Sequence, residues 1–245
     1  MNTQPTDRTK VSVIMAAYNA ESTILRAINS VLAQTHENVE LIVIDNNSND
    51  KTQAIIDSCL DKRIVSLQCT TQGACHARNV GLDIASGEYV CFLDADDYLL
   101  KNSILTRVEF LAASEAKAVC SSYLVKKKSR LKLRRVPIND INLNDLRVMN
   151  LVPFCTALFE RKHFHNLRFK SQPHEDYIFW IETCKIAPIA TIQEITAVYD
   201  ADVSGISANK LKSAYWHYLV LRHQFSYSMI SSVVRTAVRS AKLLV

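Results

Sequence analysis

The chain has 245 residues, 48% of them apolar and 22% charged, a balance that allows a sizeable core and excludes wholesale disorder. No stretch reaches the roughly 18 consecutive apolar residues of a membrane-spanning helix, and polar Met1–Lys10 lacks the apolar centre of an export signal, so a cytoplasmic protein is expected. The net charge of +5 is unevenly spread: seven cations lie in Lys126–Arg135 and six in residues 206–245, neither segment holds an acid, and the remainder carries 16 basic against 24 acidic residues. An acidic body with two basic segments is unlike a uniformly basic nucleic-acid binder, and nucleic acid is not expected as a partner.

After the polar tail, residues 1–10, which is expected to be disordered, Val11–Met15 reads as a buried strand. Glu21–Gln34 places Ile24, Leu25, Ile28, Val31 and Leu32 at helical spacing. Val39–Ile44 is a second strand ending at Asp45, followed by a polar turn and a helix near Thr52–Cys59. Ile64–Leu67 is a weaker strand, Ala74–Ala85 a helix closed by Gly87, and Tyr89–Leu93 a strand running into Asp94-Ala95-Asp96-Asp97. This alternation predicts an α/β fold with a mostly parallel sheet flanked by helices. Beyond it, Ser103–Ser114 reads as helix, Ala118–Val125 as strand, and Arg130–Val136 as a strand with one cationic face. Asp140–Met149 and Ala157–Phe164 read as short helices and Asp176–Ile186 as a longer one. Ile189–Ile192 and Ala197–Tyr199 read as brief strands, and the chain from Asn209 onward as helix.

In open α/β sheets ligands bind beyond the carboxyl ends of the strands. Here one strand ends at Ala16-Ala17-Tyr18-Asn19, another at Asp45 and a third at Asp94, so their polar groups meet at one edge. The three carboxylates of Asp94, Asp96 and Asp97 either cap the following helix at Ser103 or aim at a hard divalent cation, which would relieve their mutual repulsion. The four glycines form no glycine-rich phosphate loop. The seven scattered cysteines contain no CxxC pair, which argues for reduced thiols and against a zinc site or disulfide framework; Cys75 is expected to pack.

Five ordered segments carry a resemblance: Val11–Ala20, Ile28–Thr35, Glu40–Asp50, Ala77-Arg-Asn-Val-Gly-Leu82 and Gly87–Asp97. Together they resemble family 2 glycosyltransferases over residues 11–100, and more thinly to about 207. The resemblance implies a GT-A fold over residues 11–207, with residues 208–245 as a basic amphipathic helical extension, and an inverting transferase that binds a nucleotide-diphosphate sugar with Mn2+ or Mg2+. Asp94 and Asp96 match the family's DxD motif, with Asp96 as the metal ligand and Asp94 aiding donor and metal; Asp97 stands behind them. Ala16, Tyr18, Asp45 and Asn46 match the nucleoside side, with Tyr18 stacking on the base. The usual second acid is replaced by Asn46, which leaves a UDP- or dTDP-sugar as the expected donor. Arg78 matches an arginine that contacts donor phosphates; a salt bridge to the acidic cluster is the alternative. His174-Glu175-Asp176, followed by Phe179-Trp180, resembles the family's Glu-Asp motif, with Asp176 as general base and Glu175 beside it. Taken alone, two acids there also suit the N-terminus of a helix. Asp200 and Asp202 stand where family members often carry basic residues, and read as loop.

The expected acceptor is a saccharide or lipid-linked saccharide of a bacterial surface polysaccharide or lipopolysaccharide. In residues 229–245, Met229, Ile230, Val233, Val234, Ala237, Val238 and Ala241 form an apolar stripe, with Arg235, Arg239 and Lys242 elsewhere on the helix. Such a helix either lies on an anionic membrane surface, giving peripheral attachment to its cytoplasmic face, or packs on the domain or a second subunit. Two other readings are weighed. A nucleotidyltransferase of related fold would carry a glycine-rich basic loop after the first strand, which is absent. A non-catalytic docking module is opposed by Asp94, Asp96 and Asp176.

Overall fold

The computed structural model describes residues 9–202 and 210–242, so most of the expected N-terminal tail and the expected boundary at 207 lie outside the described residues. The N-terminal half runs β1 (Val11–Ala17), α1 (Ile24–Leu32), β2 (Val39–Asp45), α2 (Thr52–Ser58), β3 (Ile64–Gln68), α3 (Ala74–Ile84) and β4 (Tyr89–Phe92). Then follow β5 (Tyr98–Leu99), α4 (Ser103–Ala112), β6 (Ala118–Lys127), β7 (Arg130–Arg134), α5 (Leu143–Leu146), β8 (Ala157–Glu160) and α6 (Arg161–Phe164). The chain closes with α7 (Glu175–Ile186), β9 (Ala190–Asp200), α8 (Lys210–Gln224) and α9 (Met229–Lys242).

All nine strands share one sheet, ordered β3-β2-β1-β4-β8-β6-β9-β5, with β7 pairing β6. The expected parallel sheet is its N-terminal half: β1 pairs β2 from Val11↔Val39 to Ala17↔Asp45, and pairs β4 on its other side. These strands are mostly apolar because both faces are covered by helices. Val13 and Met15 enter one core layer with Ile24, Ile28 and Leu41, while Ile14 enters the other with Ile42, Ile44, Phe92 and Trp180. In α1 the buried residues are Ile24, Ala27, Ile28 and Val31, the spacing of one helix face.

The structure departs from the expected elements at four places. Ala157–Glu160, read as helix, is strand β8, inserted antiparallel between β4 and β6; a run of only four residues has no period of its own, and pairing decided it. The two brief strands at 189–199 are one strand, β9, parallel to β6 with register shifts opposite Ser121–Tyr123. The single C-terminal helix is two, broken between Gln224 and Met229. Gly87 does not close α3, which ends at Ile84 with Ala85 as its cap. It lies where β1 passes closely: its N–H donates to Ser12 Oγ at 2.8 Å, and a Cβ there would sit 2.6 Å from the Ser12 nitrogen.

All seven cysteines are free, and Cys75 is buried in the core. Among the described residues no helix is long and apolar enough to cross a membrane.

Candidate active site

The C-terminal ends of β1, β2 and β4 form one edge, tied across by the Asn46 N–H on the Ala17 carbonyl at 2.7 Å and the Leu93 N–H on the Ile14 carbonyl at 3.0 Å. Ala16 is half-buried, while Tyr18 is 46% exposed, a ring open to stacking. Asp45 is buried; its Oδ2 accepts from the Ser48 N–H at 3.2 Å, and its Oδ1 has no partner. A buried carboxylate oxygen left unpaired is costly and is suited to a ligand donor.

Asn46, expected on the nucleoside side, is hydrogen-bonded within the chain. Its amide donates to the carbonyls of Cys69 (3.1 Å) and Thr71 (2.8 Å), and its Oδ1 accepts from the Gly73 N–H at 2.7 Å. Every polar atom of the side chain is spent on fastening residues 69–73 to β2. Gly73, at φ 127°, adopts the backbone that this turn into α3 requires.

The acidic turn after β4 divides into three roles. Asp94 Oδ1 accepts from Arg78 Nη2 at 2.7 Å. The other arm of Arg78, Nη1, donates to Glu175 Oε1 at 2.6 Å. The buried guanidinium lies over the Phe154 ring at 4.5 Å and near that of Phe169 at 5.5 Å. The salt-bridge alternative for Arg78 is therefore the arrangement seen: one arginine from α3 joins the DxD turn to the Glu175–Asp176 motif, 81 residues further along the chain from Asp94 to Glu175. Asp96, partly buried beside Asp94, has its carboxyl pushed up to about 6, chiefly by burial and then by the Asp94 charge. Asp97 is fully buried, accepts the Asp200 N–H at 2.9 Å, and is raised well above the ordinary range by burial.

Asp200 and Asp202 are not loop residues in the simple sense expected. Asp200 ends β9 in a buried position, with Arg26 Nη2 and Lys126 Nζ both at 2.8 Å from its Oδ2. Arg26 also donates to the Asp96 carbonyl at 2.6 Å. Asp202 Oδ1 accepts from the Lys128 N–H at 2.6 Å.

On the opposite side, Glu175 and Asp176 open α7, next to His174, whose φ is 57°. Asp176 Oδ2 accepts from Asn150 Nδ2 at 2.9 Å, and Asn150 Oδ1 accepts from the Val152 N–H at 3.1 Å. Glu175 is raised, by burial first, against the opposing pull of Arg78. Asn150, Arg26 and Lys126 escaped the sequence reading. Lys126 belonged to a basic run whose charge was visible, but no spacing tied Asn150 or Arg26 to the carboxylates they meet. Among the described residues no three Asp, Glu, His or Cys side chains are grouped so as to hold a metal ion by themselves.

The C-terminal helices stand beside this motif. The His174 ring meets Trp216 edge-on, and His217 of α8 stacks on Tyr177 of α7 at 6.0 Å. α9 then turns its polar side inward: Ser232 is buried, and Thr236 Oγ1 lies 3.2 Å from His217 Nδ1. Its apolar stripe faces out, with Ile230 at 78% and Val234 at 56% exposed. Among the described residues the stripe does not pack on the domain.

The sheet edge with Tyr18 and Asp45, the DxD turn and the Glu175–Asp176 motif joined to it by Arg78 stand together on a GT-A fold. Solved structures of that fold are similar: TarS from S. aureus in complex with UDP-GlcNAc, with a TM-score of 0.71, 19% identity and coverage of 94% of this chain and 72% of that one. Mannosyltransferase PcManGT from Pyrobaculum calidifontis, in complex with GDP-Man and Mn2+, gives 0.68, 17%, 99% and 81%. Residues 12–175 match the sequence profile of glycosyl transferase family 2, and this chain belongs to that family. An uncharacterized glycosyltransferase of Haemophilus influenzae is 32% identical over 230 residues, 91% of this chain and 92% of its own. The Escherichia coli protein WfaP, a UDP-Glc:alpha-D-GlcNAc-diphosphoundecaprenol beta-1,3-glucosyltransferase, is 31% identical over 82% of this chain and 81% of its own. WfgD, of the same description and organism, is 32% identical over 82% and 81%. The chain is thus a glycosyltransferase, which sets aside the nucleotidyltransferase and non-catalytic readings.

Proposed function

We propose that this glycosyltransferase is inverting and metal-dependent, moving a sugar from a UDP-sugar, with a dTDP-sugar as the alternative donor, to a lipid-linked saccharide at the membrane surface. The carrying observation is the Arg78 bridge, which sets the donor-side Asp94 and the acceptor-side Glu175–Asp176 motif against one another across a single guanidinium. The names of WfaP and WfgD, with a UDP-sugar donor and a diphosphoundecaprenol-linked acceptor, support the substrate class.

Asp176 is the general base. Its carboxylate receives the proton of the attacking acceptor hydroxyl, and Asn150 holds it in one rotamer. Glu175 is occupied by Arg78 and acts as a positioning residue. On the donor side Tyr18 offers a ring to the base and Asp45 Oδ1 accepts from the nucleoside.

The acids after β4 fit a divalent cation. Burial first, and then the Asp94 charge, push the Asp96 carboxyl up, and Arg26, held by the Asp96 carbonyl and by Asp200, offsets this only in part, so a bound cation would relieve the crowded acids. Asp96 and Asp94 would hold Mn2+ or Mg2+, with diphosphate oxygens needed to complete the shell. The bound cation would neutralise charge developing on the departing diphosphate. The outward apolar stripe of α9 provides peripheral attachment to the anionic membrane surface.

The test is transfer from UDP-glucose and UDP-GlcNAc to a GlcNAc-diphosphate lipid, with Mn2+ or with EDTA. Transfer is expected only with metal and lipid-linked acceptor. Asp176→Asn should retain donor affinity and lose turnover by about 10²–10⁴-fold. Turnover undiminished by EDTA would refute the metal role, and near-wild-type turnover of Asp176→Asn would move the base elsewhere.

A further inference from the structure

The seven cations of Lys126–Arg135 occupy a hairpin made by the end of β6 and by β7. Directly paired residues share a face, so Arg130, Lys132 and Arg134 stand with Lys127, Val125 and Tyr123, while Leu131 and Leu133 stand with Lys126 and Leu124 on the other. All of β7 is exposed, including Leu131 at 57%. Lys126 pairs with Asp200; the other six cations have no ion-pair partner among the described residues.

Three features set this hairpin apart from a solvated edge. Lys127 lies directly opposite Arg130, a like-charge pair that destabilises a ladder unless an anion neutralises it. The tip turns through Lys128 and Ser129 at φ 47° and 59°, both left-handed without glycine, a strained turn that keeps a lysine at the apex. That apex is fixed: Asp202 takes the Lys128 N–H, and the Ala201 N–H donates to the Lys126 carbonyl at 2.9 Å. Lysines on an edge strand also guard against strand addition, but guarding does not call for six unpaired cations, and two exposed leucines oppose it.

The hairpin is placed at the active-site mouth. β6 is antiparallel to β8, which is antiparallel to β4, so β6 ends at the same edge as the DxD turn. From Lys126, Asp200 and Arg26 lead directly to the Asp96 carbonyl.

We propose that the β6–β7 hairpin is a membrane-docking element separate from α9: its cations bind anionic phospholipid headgroups beside the active site, and its leucines enter the interfacial layer. The proposal rests on the lipid-linked acceptor reading, since a bilayer at the mouth of the site is what that acceptor requires. Each cation near an anionic surface strengthens binding about fivefold, and this part weakens with salt.

The experiment is co-sedimentation of the full chain with phosphatidylcholine vesicles containing or lacking phosphatidylglycerol, at two salt concentrations, without donor or acceptor. The triple variant Arg130→Gln/Lys132→Gln/Arg134→Gln, whose side chains are solvent-exposed and whose melting temperature should match wild type, is expected to bind phosphatidylglycerol vesicles about 100-fold more weakly and to show a shallower salt dependence. Leu131→Gln/Leu133→Gln should weaken binding about tenfold and keep the salt dependence. Wild type that ignores phosphatidylglycerol, or a triple variant within threefold of wild type, overturns the proposal. So does a triple variant that binds vesicles normally while its KM for a lipid-free saccharide acceptor rises, because the cations would then serve the acceptor. Wild-type transfer to the lipid-linked acceptor in detergent is measured alongside: its absence refutes the functional reading whatever the vesicles show.

Discussion

Replacing Arg78 by methionine removes one charge from the centre of the site and keeps most of the stem that packs over Phe154 and Phe169. What is lost are two short ion pairs, at 2.7 Å to Asp94 and 2.6 Å to Glu175. Breaking a fully buried pair by removing one partner costs about 3–5 kcal/mol. Asp94 and Glu175 retain 32% and 26% side-chain exposure, so water stabilises part of the stranded charge, and the low end, about 3 kcal/mol, is expected. For a chain of this size that corresponds to a melting temperature about 6–12 °C lower, read by thermal denaturation at neutral pH. The origin of the loss is checked by pH. With Arg78 gone, two partly buried carboxylates repel one another and lack a countercharge. Protonating Glu175, already raised by burial, relieves them, so the gap between variant and wild type should narrow as pH falls through the carboxylate range. A melting temperature within about 2 °C of wild type, or a gap that does not change with pH, would refute the account of Arg78 as the charge that joins the two motifs.

Asn46→Asp would turn two donated hydrogen bonds into a carboxylate facing the carbonyls of Cys69 and Thr71. A loss of about 2–4 kcal/mol in chemical denaturation is expected, with nucleotide preference unchanged; undiminished stability together with a gain in uridine preference would show that Asn46 faces the ligand. His217 is pushed down to about 4, first by burial and then by the Arg239 charge, with Tyr177, Thr236 and His174 around it. The unfolded chain therefore takes the proton first, from about pH 6.5. The contribution of His217 is complete above that pH and drains by about 2–3 kcal/mol as pH falls toward 4. Urea midpoints across that window should slope in wild type and flatten in His217→Gln; equal slopes would remove His217 as the source.

The parts legible in the sequence were those whose chemistry is local. β1, β2 and β4 are mostly apolar runs buried on both faces and ended by polar turns, and the acids at Asp45 and Asp94–Asp97 mark the ends of β2 and β4. The misread parts depended on partners distant in sequence. β8 is a strand because β4 and β6 offered it hydrogen bonds, not because Ala-Leu-Phe-Glu has a strand's alternation. Asn46 looked like a ligand group because its amide can donate and accept; the chain uses that same versatility internally, on the 69–73 segment. The two acids at Asp200 and Asp202, odd beside the basic residues usual there, become intelligible only when Arg26, Lys126 and the Lys128 N–H arrive from three other places in the chain.

Asp200 has a mechanical consequence. Its carboxylate grips α1 through Arg26 and β6 through Lys126, its N–H is held by Asp97, and Arg26 in turn grips the carbonyl of Asp96. Two segments meet at one carboxylate oxygen of Asp200 and the DxD turn is joined to it through Arg26 and Asp97, so the basic hairpin is tied mechanically to the turn that carries the acids. A load applied at Lys126 reaches the acidic turn by two short routes, through Arg26 to the Asp96 carbonyl and through the Asp200 N–H to Asp97, so whatever seats the hairpin also bears on the position of the acids at the other end of the lever.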